Sequence, residues 1–362
     1  MKITITAPRN DQEFGGTSSK VNALSQALIR RGHDVQLLSS YGKSSLSWHG
    51  TPVQFLSTSQ LALLRKSDVV HVTGFRDPVG TQAALYRQLH RGPLVIEPTG
   101  MLAIRGRSRA IKRTFDLTLG RLVFRDDVPV IATSELEAAE IRERLGSNRI
   151  YLRPVGIPWF ADPSAPEPTF RRRYGIPEGA LLVTSLTRIV DGKGLKQLIS
   201  AVMRMNDVYL CIAGPVGDNS IYAELERLIG ASGEDVRILL LPQGLWGEEK
   251  LSALFESDCF CLFSDYESFG TVVAEAAAAG VPTVVTERCG IVPLLDPDIT
   301  RVVPCGDITA LVRALDEVLN NESLKSLARQ RAGKMRSLLS WTRLSELQEH
   351  IYMDIVSSWS RP

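Results

Sequence analysis

Short apolar runs rich in β-branched residues alternate along the first half of the chain with longer stretches of helical periodicity. The runs predicted to be strands are KITITAP, DVQLLSS, PVQFLS, DVVHVT, PLVIEP and VPVIATS. Between the first two, Val21, Leu24 and Leu28 recur at helical spacing, and Gly32 is predicted to end the helix. Near-continuous apolar strands separated by helices are typical of a parallel sheet that is covered on both faces.

The same alternation resumes after a proline-rich segment. RPVGIPWFADPSAPEPTF has five prolines between Pro154 and Pro168 and is interpreted as an interdomain linker. Beyond it, the predicted strands are LLVTSLT, VYLCIAG, VRILLLP, DCFCLFS, PTVVTE and RVVP. From about residue 307 the chain is predicted to be helical, and the last helix should bury one face that carries Leu344, Leu347, Ile351 and Ile355.

The pattern therefore predicts two doubly wound α/β domains in tandem. The first is expected to span residues 1–155 and the second residues 156–340, with the helix at about 341–362 packing back on the first domain. In sheets of this kind, ligands bind outside the carboxyl ends of the strands. Two facing domains would leave a cleft between them.

Charge is distributed unequally between the halves, although the net charge is only +2. Residues 1–160 carry 22 Lys and Arg against 13 Asp and Glu, or +9, whereas residues 161–362 carry 20 against 27, or −7. Such asymmetry indicates domains with different partners, and the basic half should face something anionic. Residues 101–125, with seven basic residues, one acidic residue and interleaved apolar ones, favour an anionic membrane surface. A solvated helix that covers the domain is the alternative.

Other features favour a protein of the reduced cytoplasm. The first residues, MKITITAPRND, lack the apolar stretch of a signal peptide, and no run approaches the roughly 18 apolar residues of a spanning helix. Five cysteines do not suggest a disulfide framework, and Cys259 and Cys261 are interpreted as small apolar side chains of a strand. The sequence also lacks the features of a nucleic-acid-binding fold, so no nucleic-acid partner is expected.

A paired glycine follows the first predicted strand. In APRNDQEFGGTSSK, Gly15 and Gly16 precede a helix that Thr17 or Ser18 could cap. Glycines at this position let backbone N–H groups approach an anion at the helix N-terminus. A plain flexible loop is the alternative.

Two cations stand where a helix is predicted to begin in the second half. In SLTRIVDGKGLKQLISAV, Arg188 and Lys193 lie between a strand and a helix, next to Gly192 and Gly194. Positive charge is unfavourable at a helix N-terminus, so an anion is expected there. The alternative is a solvated basic turn.

Two carboxylates lie eight residues apart in SDYESFGTVVAEAAAAGVP. Glu267 falls in the loop after a predicted strand, and Glu275 falls inside an apolar helix that Gly280 and Pro282 end. A buried carboxylate without partners is costly, so Glu275 must meet hydrogen-bond donors. Ribose hydroxyls would serve, and protein backbone groups are the alternative.

Taken in order, these segments resemble glycosyltransferase family 4, whose members are retaining enzymes of the GT-B fold. Further matching segments are EPTGML at 97–102, ATSELEAAEI at 132–141, IAGP at 212–215 and GEEKLSALF at 247–255. The resemblance covers nearly the whole chain. It implies two Rossmann-like domains that face each other across a cleft.

The resemblance also implies roles for individual residues. The residues it places against the donor are Gly15, Gly16, Arg188, Lys193, Glu267, Ser268, Phe269, Gly270, Thr271 and Glu275. Arg188 and Lys193 would hold the diphosphate of a nucleotide sugar and act in catalysis with Glu267, which would hold hydroxyls of the donor sugar. Glu275 would bind the ribose, and the base would lie near LLLPQG.

The acceptor side departs from the family pattern. Members often carry His-x-His-Gly after a strand of the first domain, whereas this chain has HVTG, so that Thr73 replaces the second histidine and receives no catalytic role. The acceptor-side candidates are His71, Thr99, Gly100 and Met101. A core position is the alternative for His71, since a lone histidine is weak evidence of function.

The resulting hypothesis is a retaining glycosyltransferase that moves a sugar from a nucleotide-diphospho-sugar to a glycan or lipid-linked glycan at the cytoplasmic face of the membrane. No metal or other cofactor is expected, and Asp296 and Asp298, which mimic a metal-binding Asp-x-Asp, are interpreted as a solvated turn. The alternatives are a nucleotide-sugar epimerase on the same fold and a non-catalytic sugar-nucleotide-binding partner subunit.

Overall fold

The computed structural model describes residues 1–8, 16–39, 56–74, 76–102, 109–146, 149–157, 167–233 and 236–359. The chain divides into two compact units. One comprises Met1–Pro158 together with Leu339–Pro362, and the other comprises Trp159–Leu338. These limits lie close to the domain boundaries expected at residues 155 and 340, and the C-terminal helix belongs to the first unit.

The first unit contains a parallel six-stranded sheet. Its strands are β1 (Lys2–Ala7), β2 (Asp34–Ser39), β3 (Val69–Thr73), β4 (Leu94–Glu97), β5 (Val130–Ala132) and β6 (Ile150–Leu152). Their order in the sheet is β2-β1-β3-β4-β5-β6. Strand β6 was not predicted. The predicted strand PVQFLS spans residues 52–57, of which 52–55 lie outside the described part of the chain.

Helices follow most strands of the first unit. They are α1 (Gly16–Arg30), α2 (Thr58–Lys66), α3 (Pro78–Leu89), α4 (Arg109–Phe115), α5 (Arg121–Val123) and α6 (Glu135–Leu145). A π-helical turn at Asp116–Gly120 joins α4 to α5. Helix α1 already begins at Gly16, so the prediction that Thr17 or Ser18 caps it was wrong.

A buried charge cluster lies at the carboxyl end of β4. Glu97 is fully buried, and its carboxylate lies 3.0 Å from Lys20 Nζ, 2.7 Å from Arg153 Nη2 and 3.2 Å from His71 Nε2. Burial alone would raise the pKa of Glu97, but the charges of Arg153 and Lys20 outweigh that effect and hold the pKa well below its usual value. Arg153 therefore belongs to the core, and its assignment to a linker was wrong.

The C-terminal helix α14 (Trp341–Ser358) packs against this cluster. The Tyr352 hydroxyl is hydrogen-bonded to His71 Nδ1 at 2.7 Å, and both side chains are fully buried. Leu344, Ile351 and Ile355 are buried as predicted, but Leu347 is 37% exposed. The buried face recurs every three or four residues from Trp341, and Leu347 falls beside it.

The second unit contains another parallel six-stranded sheet. Its strands are β7 (Leu181–Leu186), β8 (Val208–Ala213), β9 (Ile238–Leu241), β10 (Cys259–Leu262), β11 (Thr283–Thr286) and β12 (Thr300–Val303). All six correspond to predicted strands. The order β12-β11-β10-β7-β8-β9 places β7 between β8 and β10. Strands β8 and β9 are therefore added on one side of β7, and β10, β11 and β12 are added on its other side. This reversal makes the gap between β7 and β10 a topological switch point.

The helices of the second unit complete the doubly wound arrangement. They are α7 (Phe170–Arg173), α8 (Leu195–Val202), α9 (Asn219–Ser232), α10 (Gly247–Phe255), α11 (Thr271–Ala278), α12 (Ile308–Leu319) and α13 (Glu322–Leu338). Cys259 and Cys261 are fully buried in β10, which agrees with their interpretation as core side chains, and burial raises the pKa of both thiols. Among the described residues, no helix combines the length and apolar character needed to cross a membrane.

Candidate active site

The switch point of the second sheet gathers most of the residues that the sequence singled out. Arg188 follows β7, and Glu267 follows the neighbouring strand β10. Because the carboxyl ends of parallel strands meet at one edge of a sheet, both residues lie at that edge. Arg188 is exposed there, and within the described part of the chain its guanidinium makes no ion pair.

A glycine turn brings Lys193 to this edge. Gly192 and Gly194 have φ values of +79° and +62°. The amide of Asp265 donates a 2.9 Å hydrogen bond to the carbonyl of Gly192, so the turn lies directly against the end of β10. A Cβ atom on Gly194 would lie 2.1 Å from the carbonyl oxygen of Phe263, which leaves no room for a side chain.

This contact pairs the predicted cation with the first predicted carboxylate. Lys193 Nζ lies 2.5 Å from Glu267 Oε1, and Ser264 Oγ donates to the same oxygen at 2.9 Å. The side chains of Lys193 and Glu267 are 15% and 20% exposed, so solvent or a ligand can still reach them. The counter-charge that Lys193 was expected to need is thus supplied by Glu267, which the sequence had treated separately.

The loop after Glu267 is fixed by backbone hydrogen bonds. The amide of Glu267 donates to the carbonyl of Arg288, and the amide of Ile291 donates to the carbonyl of Phe269. Phe269 is buried. Gly270 has a φ of +95°, and a Cβ atom there would lie 2.5 Å from the buried Cys289 sulfur. The loop, including Ser268, therefore leads into α11 at Thr271 with its first N–H groups turned toward the carboxyl edge.

The second carboxylate has a partner that sequence reasoning missed. Glu275 is 3% exposed in α11, and Lys250 Nζ of α10 lies 2.5 Å from its Oε2 atom. The explanation that a ligand alone makes its burial possible was wrong, and so was the alternative of backbone partners. Lys250 is 25 positions away in the sequence, and only the packing of α10 against α11 reveals the contact.

In the first unit, the candidates Thr99, Gly100 and Met101 follow the carboxyl end of β4, whereas His71 lies in the middle of β3. His71 is enclosed by the Glu97 cluster and Tyr352, which favours the core interpretation over contact with an acceptor. Thr99 has a φ of +53°, a strained conformation for a β-branched residue, and its hydroxyl oxygen is buried with no hydrogen bond to the described residues. Gly100 donates its N–H to Glu137. The Met101 side chain lies against Gly74.

Of the two paired glycines, the structure describes only Gly16. Gly15 lies outside the described residues, whereas Gly16 is the exposed first residue of α1. A Cβ atom on Gly16 would meet nothing within 4 Å, so the position is open.

The aspartates that mimic a metal motif are bound by an arginine. Arg331 Nη1 donates to Asp296 at 2.8 Å and to Asp298 at 2.7 Å. The interpretation of these aspartates as a solvated turn was therefore incomplete, because it did not include their ion pairs with Arg331. Within the described ranges, no three His, Cys, Asp or Glu side chains are grouped so as to hold a metal ion.

Comparison with known proteins agrees with the fold. Residues 15–156 match the family model of the glycosyl transferase 4-like domain, and residues 166–335 match that of glycosyl transferases group 1. The chain is a glycosyltransferase of the GT-B type. It belongs to the family that these two models describe, which confirms the resemblance to glycosyltransferase family 4.

Relatives of the chain carry glycosyltransferase names. The chain is 25% identical to a phosphatidyl-myo-inositol mannosyltransferase of Mycobacterium leprae, over 100% of this chain and 99% of that protein. It is 30% identical to the lipopolysaccharide core biosynthesis glycosyltransferase LpsE of Rhizobium meliloti, but over only 44% of this chain and 46% of that protein. A solved structure, Anabaena HepE in complex with UDP-glucose, superposes with a TM-score of 0.78 at 16% identity, covering 98% of this chain and 100% of that one.

The close contact at Gly194 leads to a first prediction. Gly194→Ala should destabilise the second unit by about 1–3 kcal/mol more than Gly175→Ala, because backbone atoms must move to admit the methyl group. Gly175 is a matched control, since its φ is +67° and its Cβ would meet nothing within 4 Å. Urea unfolding of both variants measures the difference. Equal losses of stability would show that the turn is not held against β10.

Proposed function

We propose that this chain transfers a sugar from a nucleotide-diphospho-sugar to a glycan or lipid-linked glycan, with retention at the anomeric carbon and without a metal ion. The observation that carries the proposal is the convergence of Arg188, Lys193, Glu267 and Glu275 on the edge where β7 and β10 end. Two cations, two carboxylates and the N-terminus of α11 match the charges and hydroxyls of such a donor.

The diphosphate is assigned to the cations. Arg188 is exposed, and Lys193 sits beside the start of α8, where backbone N–H groups also favour an anion. When the donor enters, its phosphate oxygens take over the Lys193 ammonium from Glu267. Glu267, released from that ion pair, accepts hydrogen bonds from the sugar hydroxyls, and Glu275 accepts them from the ribose.

The reaction breaks the bond between the anomeric carbon and the phosphate oxygen. The sugar becomes oxocarbenium-like, while negative charge grows on the leaving diphosphate. Arg188 and Lys193 stabilise that charge in place, as fixed dipoles and charges do in other enzymes. The acceptor oxygen bonds to the same face of the sugar and its proton passes to the departing phosphate, so no protein base is needed.

The nucleotide-sugar donor and the lipid-linked acceptor are also supported by the comparisons. Anabaena HepE was solved with UDP-glucose, and two relatives are named for lipopolysaccharide core biosynthesis and for phosphatidyl-myo-inositol. We assign the acceptor to the first unit, whose carboxyl edge carries the strained Thr99. The base and the sugar of the donor stay open within the nucleotide-sugar class.

An apolar and basic surface of the first unit supports an anionic membrane as a partner and a peripheral position at its inner face. On the helical segment from Arg109 to Val123, four large apolar side chains are between 41% and 71% exposed, namely Ile111, Leu117, Leu119 and Leu122. The one acidic side chain of the segment, Asp116, is bound by Arg76 at 2.9 Å, which leaves the arginines in excess. A cavity of about 990 Å³ borders the segment, and its lining includes four arginines and three aspartates.

Removal of metal ions should leave the activity intact. Transfer measured in excess EDTA is expected to stay within about two-fold of the untreated rate, because protein cations occupy the role that Mg²⁺ has in other transferases. The assay should follow sugar on the acceptor and, separately, conversion of the donor alone. Complete loss with EDTA that Mg²⁺ or Mn²⁺ restores would contradict the proposal, and turnover of the donor without an acceptor would indicate an epimerase instead.

Substitution of the two glutamates should have different effects on catalysis and on nucleotide binding. Glu275→Gln is expected to raise KM and weaken binding of the bare nucleoside diphosphate, with little change in kcat, since the ribose does not change during the reaction. Glu267→Gln should lower kcat, yet leave affinity for the bare nucleotide close to wild type, because no sugar is present to lose the contact. Steady-state kinetics and titration calorimetry on both variants distinguish the roles. The opposite pattern would reverse the assignments, and no effect in either variant would refute the site.

Binding to lipid vesicles tests the proposed membrane-binding surface of the first unit. The protein should float with vesicles containing anionic lipid at low salt and less so at high salt, because screening shortens electrostatic reach to about 8 Å at physiological ionic strength. Each basic residue near such a surface contributes about 1 kcal/mol. Reversing the charges of Arg113 and Arg121 should therefore weaken binding by at least about 30-fold. The same reversal at the exposed Arg65 and Lys66 is the control. No flotation at low salt would exclude the surface.

A further inference from the structure

The ion pair between Lys250 and Glu275 is placed where a ligand can use it. Lys250 lies in the first turn of α10, and Glu275 lies in the second turn of α11. A helix that follows a parallel strand begins near the carboxyl edge of the sheet, so both side chains lie toward the edge that holds Lys193 and Glu267. Lys250 is 14% exposed and Glu275 only 4%, so the pair is reached from the side of the lysine.

The pair is incomplete as a set of hydrogen bonds. Lys250 Nζ lies 2.5 Å from Glu275 Oε2, yet it approaches outside hydrogen-bond geometry, and Oε2 is buried with no hydrogen bond from any described residue. A buried carboxylate oxygen normally accepts at least one hydrogen bond. The lysine therefore supplies a counter-charge, while the oxygen keeps lone pairs for another donor.

We infer that Lys250 is a positioning residue that holds Glu275 as a charged acceptor for the two ribose hydroxyls of the donor nucleotide. The inference rests on the proposed function and deepens it. An ionised carboxylate is acceptor-only, so it favours a ligand with two neighbouring hydroxyl donors. Lys250 thereby sets the preference of the site for ribonucleotides, without itself contacting the reacting atoms.

Packing alone does not account for a lysine at this position. Buried ion pairs contribute little net stability, and apolar pairs of similar volume usually replace them without loss. The other buried residues of α11 are Val273 and four alanines, so Glu275 is the one charged residue among them. Lys193 and Glu267 form a second Lys–Glu pair at the same edge, but there Ser264 Oγ hydrogen-bonds the carboxylate oxygen. Among the residues that the structure describes, Glu275 Oε2 has no such donor.

The test compares a nucleoside diphosphate with its 2′,3′-dideoxy counterpart. UDP, GDP and ADP are first titrated against the wild-type protein, and the tightest of them is used with its dideoxy form. Hydrogen bonds to a charged group correspond to a preference of about 10- to 100-fold for the ribonucleotide. Lys250→Met should reduce that preference to about three-fold or less, because an unpaired buried carboxylate turns away or takes up a proton.

Three further variants separate positioning from folding. Lys250→Arg keeps the cation and should retain most of the ribose preference. Glu275→Gln should lose it, and the double variant Lys250→Met with Glu275→Gln should lose no more than Glu275→Gln alone, because both changes remove one interaction. The double variant also removes the unpaired buried charge, so its melting temperature should be higher than that of Lys250→Met. It therefore serves as a control for misfolding.

Each result is decisive. A lower melting temperature in Lys250→Met with an unchanged ribose preference would show that the lysine is only structural, and would overturn this inference alone. Additive losses in the double variant would also contradict it. If the wild-type protein binds none of the three nucleoside diphosphates, the proposed function falls and this inference falls with it.

Discussion

Glu275 lies among the small apolar residues of α11, with the ammonium of Lys250 2.5 Å from one of its oxygens. Opposite charges are also paired in the interior of the other unit. In the first unit, Glu97 is held by Lys20 and Arg153. Because an isolated buried charge is costly, such contacts fix which helices lie beside which strands. They also set charged groups near the carboxyl edges of the sheets.

The candidate site follows from topology as much as from its residues. The switch between β7 and β10 brings together segments that are about 80 residues apart, from Arg188 to Glu267. The turn at Gly192 and Gly194 then presses against the end of β10 and carries Lys193 to Glu267. Each carboxylate of the site thus has a lysine partner before any donor is present.

Local patterns predicted much of the fold. Apolar runs located every strand of the second sheet. Its four inner strands are largely buried on both faces and read as near-continuous apolar segments. The sequence patterns missed strand β6 at Ile150–Leu152, and they did not locate the start of α1 at Gly16. Leu347 was misplaced because an apolar residue beside the buried face of a helix fits the periodicity almost as well as one on it.

The site was predicted as a set of residues but not as a set of contacts. The order of motifs indicated Arg188, Lys193, Glu267 and Glu275, whereas their pairing depends on side chains that are distant in sequence. Nothing near Glu275 in the sequence points to Lys250, and nothing near Arg153 points to Glu97. Such pairs arise when helices and strands pack, so they carry no local signal.

The most direct test is the thermal shift of the wild-type protein and of Lys193→Met with UDP-, GDP- and ADP-sugars. A ligand at 100 times its dissociation constant adds about 2.7 kcal/mol to the stability of the state that binds it. The account predicts that at least one nucleotide sugar raises the melting temperature of the wild type, and that Lys193→Met loses most of that rise. No rise with any nucleotide sugar, or an equal rise in both proteins, would contradict it.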